Sequence, residues 1–262
     1  MNNTKVSILI SNFNKENYIR ECINSCLMQK YDNLEIIVID NNSTDNSLKI
    51  LNEFGSKIRI EVKNRISSIG SKNQTDVLVH AFKISSGNLI CLLDSDDYFM
   101  ANKIMTIDKI FSRDNRLKIL FDIPRIEKNN KILPLKTKRK YNRNIWPTTI
   151  PTSGISLRRN FFEECLKINL FENFPNLEID FKLTSFSQKI IDNYYIHDEY
   201  LTFYRKVKDG IMANTKKFSK KWWIKRIQAH DFMKNIYEKK DIKYKKNFDY
   251  VVTKLITDLF ER

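Results

Sequence analysis

A mostly parallel α/β sheet flanked by helices is predicted by three strand ends that repeat one arrangement. Residues 6–10 run into Ser11-Asn12-Phe13-Asn14, residues 34–39 into Asp40-Asn41-Asn42-Ser43-Thr44-Asp45, and residues 88–93 into Asp94-Ser95-Asp96-Asp97. Unbroken Ile/Val/Leu runs, in place of apolar–polar alternation, belong to strands covered on both faces. The amphipathic patterns between them supply the covering helices. Carboxyl ends of parallel strands point the same way, and ligands of open α/β sheets bind beyond those ends, so Phe13, Asp40 and the acids at 94–97 are expected to share one crevice.

Taken in order, the first strand gives way at Asn14, a residue suited to an N-cap, to a helix over 15–29. The strand over 34–39 follows, then a helix over 45–54 burying Leu48, Ile50, Leu51 and Phe54, then a short strand over 58–62. Ser71 is placed to cap a helix over 72–85 that Gly87 terminates. Beyond the acidic strand end, 104–111 reads as helix, and 117–126 with 131–135 reads as a hairpin turning through Asn129-Asn130. The basic stretch 136–143 reads as a surface loop. Helical patterns cover 159–166 and 176–187, two pairing strands are expected over 194–197 and 200–204, and 206–217 has the polarity of a mobile loop. Two helical stripes close the chain. One runs through Trp222, Ala229, Phe232, Met233 and Ile236, interrupted by Lys225 and Arg226; the other runs through Phe248, Val251, Val252, Leu255, Ile256 and Leu259. The reading divides the chain into 1–100, 101–215 and a basic helical extension over 216–262.

With 262 residues, 42% of them hydrophobic, the chain can bury a large core, and disorder is not expected. Its net charge of +15 is uneven: residues 1–100 carry 11 Lys/Arg against 12 Asp/Glu, and residues 101–262 carry 35 against 19. Such asymmetry suits an anionic partner for the second half, although the general abundance of Lys, Asn and Ile accounts for part of it. Cys22, Cys26, Cys91 and Cys165 lie in apolar periodic stretches without disulfide-framework spacing, which predicts reduced thiols in a cytoplasmic protein. Cys22 and Cys26 share one apolar helical face with Ile19, Ile23 and Leu27, so they are read as core and not as a zinc pair. No apolar run approaches the roughly 18 residues of a membrane span, the chain enters a strand almost at once, and its close on a helix is what a truncated chain would show.

The acids at 94–97 admit two readings. Carboxylates this crowded repel one another unless a cation neutralises them, and clustered Asp oxygens suit a hard divalent ion. Asp and Ser also favour turns and helix caps, which need no ion.

The order of these motifs resembles the family 2 inverting glycosyltransferases of GT-A fold, over about residues 4–205. Val6 to Asn14 is similar to the family's opening strand and Pro-x-Tyr-Asn turn, with Ser11 for the Pro and Phe13 for the Tyr; Asp40 to Asp45 resembles its Asp-Asp-Gly-Ser-x-Asp segment; residues 64–73 resemble its Asn-x-Gly-x-x-x-x-Arg-Asn segment loosely, through Gly70, Lys72 and Asn73; and Asp94 to Asp97 matches its metal-binding Asp-x-Asp motif. The resemblance implies a Rossmann-like nucleotide-binding half, a mixed acceptor-binding half, and C-terminal helices. It implies transfer of a sugar, with inversion, from a nucleoside diphosphate donor, usually UDP, to a glycan or lipid-linked acceptor in surface polysaccharide or glycoconjugate synthesis. It implies Mn2+ or Mg2+ as cofactor, held by Asp96 with Asp94, while Asp97 takes second place. Ser11, Phe13 (stacking on the base), Asn14, Asp40 (bonding the base), Asn73, Asp94, Ser153 and Glu178 are the implied substrate contacts. Asp180 is the implied catalytic base, with Glu178 in reserve, although a first-turn acid also complements a helix dipole. Arg205, after Tyr204, is the implied diphosphate ligand, with Lys206 or Lys208 able to share that work. His197 is read as structural before metal-ligating, and His80 and His230 as ordinary helix residues.

The alternative of another nucleotide enzyme, such as a nucleotidyltransferase or a dinucleotide-dependent oxidoreductase, is opposed by the five glycines, at 55, 70, 87, 154 and 210, which leave neither a GxGxxG fingerprint nor a P-loop. Residues 216–246, with 12 Lys/Arg against three acids and two tryptophans, leave three readings open: contact with the anionic inner face of a membrane, nucleic-acid binding, or a solvated helical face. The resemblance favours the membrane and expects no nucleic acid.

Overall fold

The computed structural model describes residues 4–128, 131–134, 146–208, 210 and 215–260. Its elements are β1 (Val6–Asn12), α1 (Ile19–Leu27), β2 (Leu34–Asp40), α2 (Ser47–Asn52), β3 (Arg59–Val62), α3 (Gly70–Ile84), β4 (Leu89–Asp94), β5 (Tyr98–Phe99), α4 (Lys103–Arg113), β6 (Ile119–Asp122), β7 (Arg125–Lys128), β8 (Lys131–Pro134), β9 (Ile155–Arg158), α5 (Arg159–Lys167), α6 (Ile179–Phe186), β10 (Tyr194–His197), β11 (Thr202–Arg205), α7 (Lys220–Glu238) and α8 (Phe248–Phe260). Seven strands form one sheet in the order β10-β6-β9-β4-β1-β2-β3, and β5-β11-β7-β8 form a smaller one. Within the large sheet β3, β2, β1 and β4 are mutually parallel, and β9 inserts antiparallel between β4 and β6.

Each central strand splits its side chains between two cores. Leu9, Ile37, Ile39, Ile90 and Leu92 pack with Val77, Leu78, Phe162, Leu183 and Phe232 of α3, α5, α6 and α7. Ile8, Ile10, Val38, Cys91 and Leu93 pack with Ile19, Cys22, Ile23, Leu51, Ile104 and Ile107 of α1, α2 and α4. Burial on both sides is why these strands read as unbroken apolar runs. The four cysteines are buried and free. Among the described residues no helix is long and apolar enough to cross a membrane.

Several local expectations are corrected. The first helix begins at Ile19 and not at residue 15, because Asn14 adopts φ +51° in the left-handed region, where a helix cap does not form. The next helix closes at Asn52, with a 3-10 turn at Gly55–Lys57 after it. Ser71 lies inside its helix and donates its hydroxyl to the Pro175 carbonyl at 2.7 Å, while Ile69 holds the cap position. Gly87 is needed for close packing: a Cβ there would collide with the Ser7 hydroxyl and backbone nitrogen on β1. The apolar stretch 117–126 splits into β6 and β7, which belong to different sheets. β10 and β11 do not pair with each other; β10 extends the large sheet beside β6, and β11 lies between β5 and β7. β7 and β8 do form the expected antiparallel hairpin. Its Asn129-Asn130 turn, the basic loop 136–143 and part of 206–217 lie outside the described residues.

A buried ion pair ties the two sheets together. Lys103 at the start of α4 and Asp122 at the end of β6 both have 0% exposure. The Lys103 Nζ donates to Asp122 Oδ1 (2.6 Å), Thr202 Oγ1 (2.7 Å) and the Ser153 carbonyl (2.8 Å), and the Thr202 hydroxyl donates to Asp122 Oδ2 (2.7 Å). All three ammonium donors are satisfied, the condition under which so deep a charge is tolerated. Replacing Lys103 by Met strands the Asp122 carboxylate, and urea denaturation is expected to show a loss of about 3–5 kcal/mol, most of it recovered in Lys103→Met/Asp122→Leu. Equal losses in the single and double variants would contradict this account.

Candidate functional site

The carboxyl ends of β1, β2 and β4 lie side by side, with Ser11 in register with Asp94 and Asn12 with Asp40. A last-residue acid on each of the two parallel strands that flank β1, Asp40 on β2 and Asp94 on β4, is thereby delivered to the same edge of the sheet.

Asp94 is held by its neighbours on both sides. Its Oδ1 accepts from the Ser11 hydroxyl at 2.9 Å and from Gln74 Nε2, on α3, at 2.6 Å. Its backbone N–H donates to Ser153 Oγ at 3.0 Å, and that hydroxyl donates to Asp97 Oδ2 at 2.5 Å. The Arg205 N–H completes Asp97 from β11, donating to Oδ1 at 2.8 Å. Asp97 has 0% exposure and both its oxygens are engaged, so it fastens the loop after β4 to its surroundings. Asp96 points the other way, with its carboxylate 3.5 Å from Lys15 Nζ and 15% exposed.

Burial and then the Asp96 charge push the Asp94 carboxyl up to about 6 in the metal-free protein, and burial, Asp96 and Asp94 push Asp97 up as well. Asp180, in the first turn of α6, accepts the Phe181 N–H at 2.5 Å and is pushed up to about 8, by burial first and the neighbouring Glu178 charge second, with Asp94 adding to the effect. Glu178 precedes α6 and meets Lys225 of α7 at 2.5 Å. The Tyr204 phenol is raised by burial first and then by the charges of Asp97, Asp94, Asp96 and Asp180.

The other expected site residues are placed as follows. Phe13 is 36% exposed, with the Arg65 guanidinium 4.0 Å from its ring centroid. Asn14 pins the second loop by accepting the Thr44 N–H at 2.8 Å. Asp40 is fully buried, its oxygens accepting from Asn12 Nδ2 (2.7 Å), the Ser43 N–H (2.8 Å) and the Ser43 hydroxyl (2.7 Å). Asn73 is also buried, its amide bonding the backbone at Ile66 and Ser67. The Arg205 guanidinium reaches Glu21, Glu127 at 3.2 Å and the Asp96 carbonyl at 3.1 Å, and stacks 4.3 Å from the Tyr98 centroid. In this conformation the polar groups of Asp40, Asn73 and Arg205 turn to protein partners. His197 lies on β10, an edge strand separated from β4 by β6 and β9, with Glu199 3.7 Å from its Nε2. His80 meets Glu61 at 2.7 Å, and His230 is buried between Tyr244 and Asp249.

Sequence reasoning did not single out Lys15, Gln74, Tyr204 or Lys225 for this crevice. Tyr204 is read only as the first residue of the Tyr-Arg motif and Lys15 adjoins Asn14, which was the available signal; Gln74 and Lys225 arrive from helices whose facing no local pattern reveals. Asp94 and Asp96 offer the hard oxygen donors that Mg2+ or Mn2+ takes, and the buried Gln74 Oε1 has no protein partner. Among the described residues no three His, Cys, Asp or Glu side chains form a complete metal cluster. Mg2+ ordinarily takes one or two carboxylates and fills its shell with waters and substrate phosphates, so the donor set fits.

Residues 7–166 match the family described as Glycosyl transferase family 2. A UDP-Glc:alpha-D-GlcNAc-diphosphoundecaprenol beta-1,3-glucosyltransferase of Escherichia coli, WfaP, is 36% identical over 114 residues, 40% of this chain and 43% of that protein. A glycosyltransferase of Nostoc sp. is 24% identical over 176 residues, 63% of this chain and 54% of that protein. The matched segment thus spans about half, or less, of the length of these relatives. Among solved structures, S. aureus TarS 1–349 in complex with UDP-GlcNAc superposes with a TM-score of 0.67 at 17% identity, covering 98% of this chain and 71% of that one. A Pyrobaculum calidifontis mannosyltransferase in complex with GDP-Man and Mn2+ gives a TM-score of 0.59 at 14% identity, covering 97% and 69%. These likenesses establish a GT-A fold. With its strand-end acids, its sheet order and a family match across most of its length, this chain belongs to glycosyl transferase family 2.

Proposed function

We propose that this protein transfers a sugar from a nucleoside diphosphate donor, UDP-linked, to a hydroxyl group of a glycan or lipid-linked acceptor, with inversion and with Mn2+ or Mg2+ as cofactor, in the synthesis of surface polysaccharide or a glycoconjugate. The observation that carries this reading is geometric: β2 and β4, on either side of β1, deliver Asp40 and Asp94 to one edge of the sheet; beside it, burial raises both Asp94 and Asp180, and the charge of Asp94 adds to the rise of Asp180. A donor-side acid and an acceptor-side base facing one crevice is the arrangement an in-line displacement needs. The UDP complex of the TarS fold and the UDP-glucose donor in the name of the E. coli relative support uracil as the base, and that relative's name supports a lipid-linked acceptor. Such an acceptor would bring the protein to the inner face of a membrane, where the basic stretch 216–246 would meet anionic lipid.

On this reading Asp96, with Asp94, holds the cation, which when bound neutralises the charge that develops on the departing diphosphate. Ser11 and Gln74 hold Asp94 in place, and Lys15 borders Asp96 on the side where phosphates would lie. Phe13 offers its exposed ring to the base. Asp40 and Asn14 shape the loop beneath it, and Asn73 fixes the backbone at 66–67. Arg205 would reach a phosphate only by giving up Glu21, Glu127 or the Asp96 carbonyl; while it keeps them it orients Asp96 from behind. Asp180 takes the acceptor hydroxyl proton on Oδ2, since Oδ1 is engaged by the Phe181 N–H. Lys225 compensates Glu178, which limits how far the pair resists ionisation.

Replacing Asp96 by Ala is expected to abolish metal-dependent turnover of UDP-sugar. Asp180→Asn is expected to keep donor binding while lowering transfer about 100- to 10,000-fold, the usual contribution of general base catalysis. Calorimetric donor binding beside a transfer assay separates the two; full transfer in both variants would overturn the assignments.

The pH dependence has a definite sign. Transfer needs Asp180 ionised, so kcat/KM is expected to rise roughly tenfold per pH unit and level off near pH 8, following the free-enzyme value. Stability runs the opposite way. Asp180 keeps its proton in the folded protein between its ordinary 3.8 and about 8, where the unfolded chain has released it, so its contribution declines as pH rises through that window. Thermal unfolding between pH 4 and 8 is expected to slope less steeply in Asp180→Asn than in the parent, and an unchanged slope would contradict the assigned burial.

A further inference from the structure

We infer that the outer face of α8 is a self-association surface, on which a second copy of this chain lays its own α8 antiparallel across a two-fold axis. The helix is amphipathic in the opposite sense to its packing. Phe248, Val251, Leu255 and Leu259 fall at i, i+3, i+7 and i+11, one narrow stripe, and are 83%, 47%, 61% and 67% exposed. The residues turned inward are Thr253 at 0% and Thr257 at 7%. The Thr257 hydroxyl bonds back to the Thr253 carbonyl at 3.0 Å, and the Thr253 hydroxyl has no protein partner. Nor is α8 loosely placed: Asp249 in its first turn accepts from Arg226 at 2.5 Å and meets His230 Nε2 at 3.0 Å, both on α7. Rolling the stripe inward would break both contacts. A continuous exposed apolar stripe on an anchored helix marks an interaction face.

Charge decides the occupant. The chain has 46 Lys/Arg against 31 Asp/Glu, yet α8 carries Lys254 alone against Asp249 and Asp258. An anionic bilayer or a nucleic acid would meet Asp258 at the edge of the stripe and find little positive charge on this helix, although lysine is plentiful on neighbouring segments. A second copy meets both needs. Lys254 and Asp258 stand one turn apart on the same edge of the stripe, on either side of Leu255. In a two-fold antiparallel pair the same edges face each other in reverse order, so Lys254 of each copy meets Asp258 of the other; a parallel pair would set this charged edge against the apolar Val252–Ile256 edge of the second copy and leave both charges unpaired. Val252 and Ile256 flank the opposite edge and are apolar in both copies.

Light scattering and sedimentation equilibrium on the 262-residue chain test this independently of the donor site. The expected mass is twice 31.3 kDa. Leu255→Asp, at an exposed position, is expected to return it to one chain with the circular dichroism spectrum and transferase activity unchanged. Lys254→Asp and Asp258→Lys are each expected to lose the dimer when alone and to regain it as a heterodimer when mixed. A single-chain mass at every concentration, a dimer that survives Leu255→Asp, or a mixture of the two charge variants that stays monomeric would overturn the inference. So would co-sedimentation with phosphatidylglycerol vesicles that Leu255→Asp abolishes, since that outcome assigns the face to lipid.

Discussion

Four carboxylates, Asp94, Asp96, Asp97 and Asp180, are gathered in one partly buried crevice, and the repulsion among them is the constraint from which the rest of the site follows. Desolvation alone raises each buried acid, and each neighbour's charge raises it further. The rise of Asp94, Asp97 and Asp180 above the ordinary carboxylate range is the expression of that repulsion together with burial. On the proposed function a divalent cation would offset that repulsion, and would offset the charge of a diphosphate beside it as well.

Holding such a cluster together requires a rigid frame. The Ser153 hydroxyl spans the Asp94 N–H and the Asp97 carboxylate, and its carbonyl is gripped by Lys103. Lys103 in turn is fixed by Asp122 and Thr202, one from each sheet. The fully buried ion pair is thus linked to Asp94 and Asp97 through a single residue, Ser153. Asp97, the acid that cannot face a ligand, supplies the second anchor by receiving the Arg205 N–H. Removing either anchor would let the Asp94–Asp96 turn move, and sub-ångström placement is what such sites depend on.

Much of this architecture was legible in the residues. The parallel core, the helices between its strands and the convergence of Asp94 with the β1 and β2 ends follow from apolar periodicity and the position of acids at strand ends, both local signals. What was not legible is long-range or conformational. β10 and β11 look alike as short aromatic strands, and only tertiary context sends one to the large sheet and the other to the small. Asn14 has the composition of a cap, but its left-handed backbone serves the neighbouring loop instead. Arg205 sits in a motif that suggests an exposed phosphate ligand, yet Glu21 and Glu127, distant in sequence, draw its guanidinium inward. The stripe on α8 was readable as a helix, whereas its outward orientation depends on Arg226 and His230 reaching Asp249 from another helix.

On the proposed function one cation would neutralise both the carboxylate cluster and the diphosphate, so the binding of cation and nucleotide is expected to be coupled, and reciprocally so. Isothermal titration of Mn2+ into the protein with and without saturating UDP measures that coupling directly. The account predicts Mn2+ affinity at least about tenfold higher in the presence of UDP, UDP affinity enhanced by the same factor when the order is reversed, and loss of both enhancements in Asp96→Ala. Mn2+ and UDP affinities that are each indifferent to the other ligand would contradict it.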